Sequence, residues 1–146
     1  PYPLLALIIE GNMLGNFDGV KYKNKRQIGN NYVQRGLELG PNNTETLFYS
    51  GMYFKRIGKY DRAISLFGKA IKLAPFGPEA IRINLLSTHL AKFDFDTARE
   101  IAKSIFDQGD KRSTFIASMF LAYISAKTNK VEDAKTDLKN ILEEYI

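Results

Sequence analysis

Apolar residues recur along this chain at spacings of three and four, in blocks separated by Gly, Pro and Asn. The clearest block runs from Thr44 to Pro75. Leu47, Gly51 and Phe54 fall at spacings of four and three, which puts them on one face of a helix. Gly58 ends that helix, because glycine tolerates the backbone angles of a C-terminal cap. Asp61 opens a second helix, where a carboxylate suits the positive end of the dipole. Ala63, Phe67, Ala70 and Ile71 form the second apolar stripe. Pro75 closes it, since proline has no N–H to donate and disfavours helix in the residue before it. Gly51 and Ala63 are small where the two helices would cross, and Phe54, Tyr60 and Phe67 would fill the space around that crossing. No stretch shows the period-two alternation of a strand.

The pattern repeats. Phe95-Asp96-Thr97-Ala98 echoes Tyr60-Asp61-Arg62-Ala63, an offset of 98 − 63 = 35. Val131-Glu132-Asp133-Ala134 echoes it again, an offset of 134 − 98 = 36. Upstream, Leu37-Glu38-Leu39-Gly40-Pro41 matches Ile71-Lys72-Leu73-Ala74-Pro75, an offset of 75 − 41 = 34. In the last unit Ala122 stands where Gly51 stood, and Leu138 and Ile141 replace Phe67 and Ala70. The first unit is irregular. Its first helix is expected over about Leu4 to Leu14, and its second begins near Asn24 with the stripe Ile28, Tyr32, Val33, Gly36 and Leu37. An extended loop from Gly15 to Lys23 lies between them, and terminal repeats are often atypical.

Gly51, Phe54, Gly58, Tyr60, Ala63, Phe67, Ala70 and Pro75 stand in the order and spacing of the tetratricopeptide repeat, and the unit resembles that family. It departs at Leu47, where the family often has tryptophan, and at Ser50, where it usually has leucine. The resemblance implies an all-α fold, a right-handed superhelical solenoid of about four antiparallel helix pairs. The repeats would be 3–41, 44–77, 78–110 and 113–146, in a single domain spanning 1–146. The boundaries are Pro41-Asn42-Asn43, Pro75-Phe76-Gly77-Pro78 and Gly109-Asp110-Lys111, with Pro78 in the first turn of its helix. The chain opens on Pro1 rather than Met, as an excised segment of a longer protein would. With its irregular first unit it is similar to tetratricopeptide regions appended to bacterial signalling proteins, such as class III adenylate cyclases and membrane-tethered winged-helix regulators.

The family's first helices line a concave groove that takes peptides or helices. The resemblance places Glu45, Phe48, Tyr49, Met52 and Lys55 on that face in the second unit. It places Ile83, Asn84 and Ser87 there in the third, and Ile116, Met119, Phe120 and Tyr123 in the fourth. Methionine and aromatics suit recognition of an apolar anchor, so the expected partner is a protein or peptide. Packing between neighbouring helices is the competing role for the same side chains. One subclass of the family grips the C-terminal carboxylate of chaperones with lysine and asparagine. Phe48 and Met52 occupy the places of those two residues here, so no chaperone tail of that kind is expected. The last helix carries Leu138, Ile141, Leu142 and Tyr145 with no polar capping helix after it. That face, and Pro1-Tyr2-Pro3 at the other end, would suit a homodimer or contact with further parts of the protein.

Composition removes several chemistries. With no cysteine there are no disulfides, thiolate metal sites or cysteine nucleophiles. This is neutral to redox compartment, and the cytoplasm is favoured only slightly over the periplasm. His89 is the single histidine and cannot build a histidine metal site alone. A packing or surface role is expected of it, because catalysis needs a base within reach of a nucleophile or metal. Gly11, Gly15 and Gly19 follow no strand and make no phosphate loop. Glu143-Glu144 reads as a solvated helix end. No catalytic residue, metal ligand or cofactor is therefore expected. No apolar run reaches the ~20 residues that span a membrane.

The net charge is +5, from 21 basic and 16 acidic residues, and Lys21, Lys23, Lys25 and Arg26 hold part of the excess. A solvated loop accounts for that cluster. Charge of this size biases a protein toward acidic partners without establishing nucleic-acid binding. The alternative reading is an RNA-binding repeat of the pentatricopeptide type, which shares the period and basic balance. The second helix Lys69-Ala70-Ile71-Lys72-Leu73-Ala74-Pro75 follows the tetratricopeptide form instead. A third class, an enzyme with a small-molecule pocket in the groove, would need an apolar cavity with convergent polar groups.

Overall fold

The computed structural model describes residues 2–11, 25–74, 79–128 and 130–145, and within those ranges the side chains of 7–11, 25, 140, 144 and 145 are left aside. Among the described residues there are eight helices and no strand. They are α1 (Tyr2–Gly11), α2 (Lys25–Leu39), α3 (Thr44–Arg56), α4 (Tyr60–Leu73), α5 (Glu79–Ala91), α6 (Phe95–Gln108), α7 (Lys111–Lys127) and α8 (Val131–Tyr145). The chain resolves into two compact units, Pro1–Gly77 and Pro78–Ile146.

In the first unit α3 and α4 form the tightest pair. Asn43 caps α3 by accepting from the Thr46 N–H at 2.8 Å. That satisfies one of the donors that a helix N-terminus leaves open. The helix stops at Gly58, whose φ of +77° lies in the left-handed region that glycine enters without penalty. α4 starts two residues later with Asp61 in its first turn. Gly51 faces the ring of Phe67, and Ala63, Phe67 and Ala70 are fully buried. The crossing expected from the small residues is therefore present. α1 packs on both α2 and α3.

Two further glycines set these distances. A methyl at Gly36 on α2 would fall 2.7 Å from the Pro3 ring on α1. One at Gly29 would fall 2.7 Å from the ring of Tyr53. Tyr53 is fully buried, and its hydroxyl has two acceptors for its one proton, the Arg26 carbonyl and the Asn30 side-chain oxygen, each at 3.1 Å. A buried phenol needs such partners. Ser50, also buried, has no partner for its hydroxyl among the described residues. It stands where the resembled family usually has leucine.

In the second unit α5 packs on α6, α6 on α7 and α7 on α8. Leu86, Ala98, Ala102 and Ile124 form its core, flanked by Leu90, Phe95, Ile101, Phe120 and Leu121. Asp94 and Asp110 cap α6 and α7, accepting from the N–H groups of Thr97 and Ser113. Both carboxyls titrate below the ordinary aspartate value. For Asp94 the first cause is its bond with His89; for Asp110 it is the Ser113 backbone N–H.

The first helix is described over Tyr2–Gly11 and the second over Lys25–Leu39. Leu14, the expected Gly15–Lys23 loop, the Pro75–Pro78 boundary, Pro1 and Ile146 lie outside the described residues. Of the basic cluster only Arg26 is described with its side chain, and it is exposed.

Candidate binding surfaces

The residues expected to bind a partner divide by unit. On α3, Phe48, Tyr49, Met52 and Lys55 lie one, four and seven positions along from the first, which is one face of the helix. All four are half-buried. The Phe48 ring leans on Tyr49, centroid to centroid 5.3 Å, and on the core ring of Phe67 at 6.2 Å. Phe48 therefore serves packing and surface together. Partial burial lowers the Lys55 pKa, because an ammonium loses hydration there. Glu45, at the start of the same helix, is exposed. The face is thus apolar and aromatic with one cation at its C-terminal end.

In the second unit Ile83, Asn84 and Ser87 are half-buried on α5. Ser87 donates to the Asn84 carbonyl at 3.1 Å and Asn84 to the Ala80 carbonyl at 2.8 Å, so both hydroxyl and amide are engaged locally. On α7, Met119 and Tyr123 are 46% and 47% exposed. Lys127 sits 5.6 Å from the centre of the Tyr123 ring, within reach of a cation–π contact. Ile116 is half-buried, and Phe120 turns into the core cluster.

The α8 residues separate in the same way. Leu138 and Leu142 are exposed, whereas Ile141 is buried. Tyr145 lies in the helix, with its side chain outside the described residues. The apolar stripe on α8 is therefore shared between a core edge at Ile141 and an open edge at Leu138 and Leu142.

His89 closes the turn between α5 and α6. Its Nδ1 lies 2.8 Å from the Asp94 carboxylate, and its side chain is only 12% exposed. The same two residues are joined through the backbone, the Asp94 N–H donating to the His89 carbonyl at 3.0 Å. Among the described residues no group of three or more His, Cys, Asp or Glu could hold a metal ion. No described helix is long and apolar enough to cross a membrane.

Sequence reasoning passed over two features. Phe93, in the α5–α6 turn, has a φ of +61° and is 79% exposed. Its position is 93 − 58 = 35 residues after Gly58, which holds the same backbone region one repeat earlier. The repeat offset was the signal that could have found it. Arg62 is the second: its guanidinium carbon stands 4.4 Å from the centre of the Phe54 ring. No sequence period marks such a stack. Compared with protein-family models the chain matches none, and no curated protein matches it.

Proposed function

We propose that this chain is a protein-binding module of the tetratricopeptide type, working as a scaffold or peptide groove within a larger regulatory protein, and not as an enzyme. The observation that carries the reading is the α3 face. Phe48, Tyr49 and Met52 keep part of their surface open on a helix that buries Leu47, Ser50, Gly51, Tyr53 and Phe54. Lys55 stands at the end of that face. Large apolar side chains left half open beside a cation suit a peptide with an apolar anchor and an acidic neighbour. Met119 and Tyr123 offer a similar surface on α7. The repeat offsets of 34 to 36 residues support assigning the helix pairs to one repeat type and the right-handed superhelix that goes with it.

Selection from a displayed peptide library tests this. Enriched peptides are expected to share an apolar anchor and to lose binding when Phe48 and Met52 are both changed to Glu. Affinity unchanged in that variant sinks the α3 face as the binding surface. Tight RNA binding that falls steeply with salt would replace the reading by the nucleic-acid alternative.

A further inference from the structure

The first unit carries a second surface, apart from the Phe48–Lys55 face of α3, where residues of α2 and α4 border Phe54. Two cavities of about 450 and 400 Å³ adjoin there and share Leu37, Phe54 and Arg62. Asn30 and Gln34 on α2 give the larger one a polar side. Leu66 on α4 gives the smaller one an apolar side. The Arg62 guanidinium carbon lies 4.4 Å from the centre of the Phe54 ring, a cation–π contact that holds the group beside the groove.

The charges in this groove are unequally engaged. Glu38, the only carboxylate lining the larger cavity among the described residues, is paired with Arg35 at 3.2 Å and accepts from Gln34 at 3.2 Å. Asp61, in the smaller one, has a partner of its own. Lys59 and Arg62 have no ion pair among the described residues. The groove therefore holds two uncommitted cations beside apolar surface. An arginine kept beside an aromatic ring and free of a protein ion pair can take a carboxylate through two parallel hydrogen bonds.

We propose that this α2–α4 groove binds an acidic peptide segment, with Arg62 donating to a side-chain carboxylate and Leu37, Phe54 and Leu66 receiving the apolar residue beside it. An extended peptide fits two joined cavities open to solvent better than one compact ligand would. The site is independent of the α3 face, and either can fail without the other.

The test is an NMR titration of the isotopically labelled chain with the capped dipeptide Ac-Asp-Leu-NH2, alongside Ac-Asn-Leu-NH2 and inorganic phosphate. Amide shifts are expected at Leu37, Phe54 and Arg62 with the aspartyl peptide. Binding of the asparaginyl peptide should be about tenfold weaker, since the charge-assisted pair is lost. Arg62→Gln should abolish the response, and Arg56→Gln, on an exposed residue outside the groove, should leave it intact. Because Arg62 is exposed, its replacement should leave the amide spectrum folded. The proposal is overturned by equal shifts from both dipeptides, by binding that survives Arg62→Gln, or by phosphate producing the same response. Absence of any shift at about 10 mM peptide overturns it too.

Discussion

Gly51 on α3 lies directly against the ring of Phe67 on α4. A methyl added at Gly51 would stand 2.6 Å from Phe67 Cε1 and 2.8 Å from Cδ1. Phe67 is fully buried and has no open side to swing into. Gly51→Ala must therefore push α3 and α4 apart or force the ring from its rotamer. Overpacking of this kind costs about 1–3 kcal/mol, against the ~1 kcal/mol that alanine gains over glycine in a helix. A net loss of up to about 2 kcal/mol is expected, read as a lower urea midpoint.

Gly68 is the control for that argument. It lies inside α4, one residue from Phe67, with no atom within 4 Å of an added methyl. There the propensity gain is unopposed, so Gly68→Ala should raise stability by about 0.5–1 kcal/mol. Opposite shifts in the two variants would show that packing, not helix propensity, decides at Gly51. A destabilised Gly68→Ala would mean that the outer side of α4 is covered by something else.

The contrast between these glycines also shows what the sequence could reveal. The α3–α4 pair was legible because its signals are local: Gly58 as a stop, Asp61 as a start, and small residues opposite large ones. Gly29 and Gly36 were not legible as contacts. Periodicity puts Gly36 on a stripe, but only the fold brings Tyr53 and Pro3 against these two positions. The α3 face could be placed by spacing, while the tilt of Phe48 onto Phe67 could not. Ile141 belongs to the predicted α8 stripe, yet a stripe does not say which of its edges faces α7. Arg62 over Phe54 joins two helices through an aromatic contact that leaves no period in the chain.

Gly58 and Phe93 occupy the same left-handed backbone region at φ +77° and +61°. Nothing lies within 4 Å of a methyl at Gly58, so replacing it exposes the backbone cost alone. Gly58→Ala should destabilise by about 1 kcal/mol, the penalty of a Cβ in that region. Phe93 already carries this penalty while its ring is largely in water, with the Phe95 ring 6.3 Å away as partial compensation. Asparagine tolerates the left-handed region better. Phe93→Asn should therefore raise stability by about 0.5 kcal/mol once the lost ring contact is deducted, read as a higher urea midpoint. A fall in stability would show that the Phe93–Phe95 contact outweighs the backbone strain.

Asp94 links the two ends of the α5–α6 turn, holding His89 Nδ1 with one oxygen and the Thr97 N–H with the other. Its pKa is lowered in the fold, first by the His89 bond and then by Thr97. A lowered carboxyl pKa means that the folded state binds its proton less readily than the unfolded chain. Stability from this group is therefore present in full above the unfolded value of about 3.9 and is lost as pH falls through the lower folded value. Asp94→Ala removes the cap and should cost about 1 kcal/mol at pH 7. The group is partly exposed, so solvent screening keeps its charge contribution small. Urea titrations of both proteins from pH 7 to pH 3 should show the gap between them narrowing below about pH 4 as the carboxylate is protonated. A gap that stays constant across that range would assign the cost to lost packing and backbone capping, leaving the His89–Asp94 pair without a role in stability.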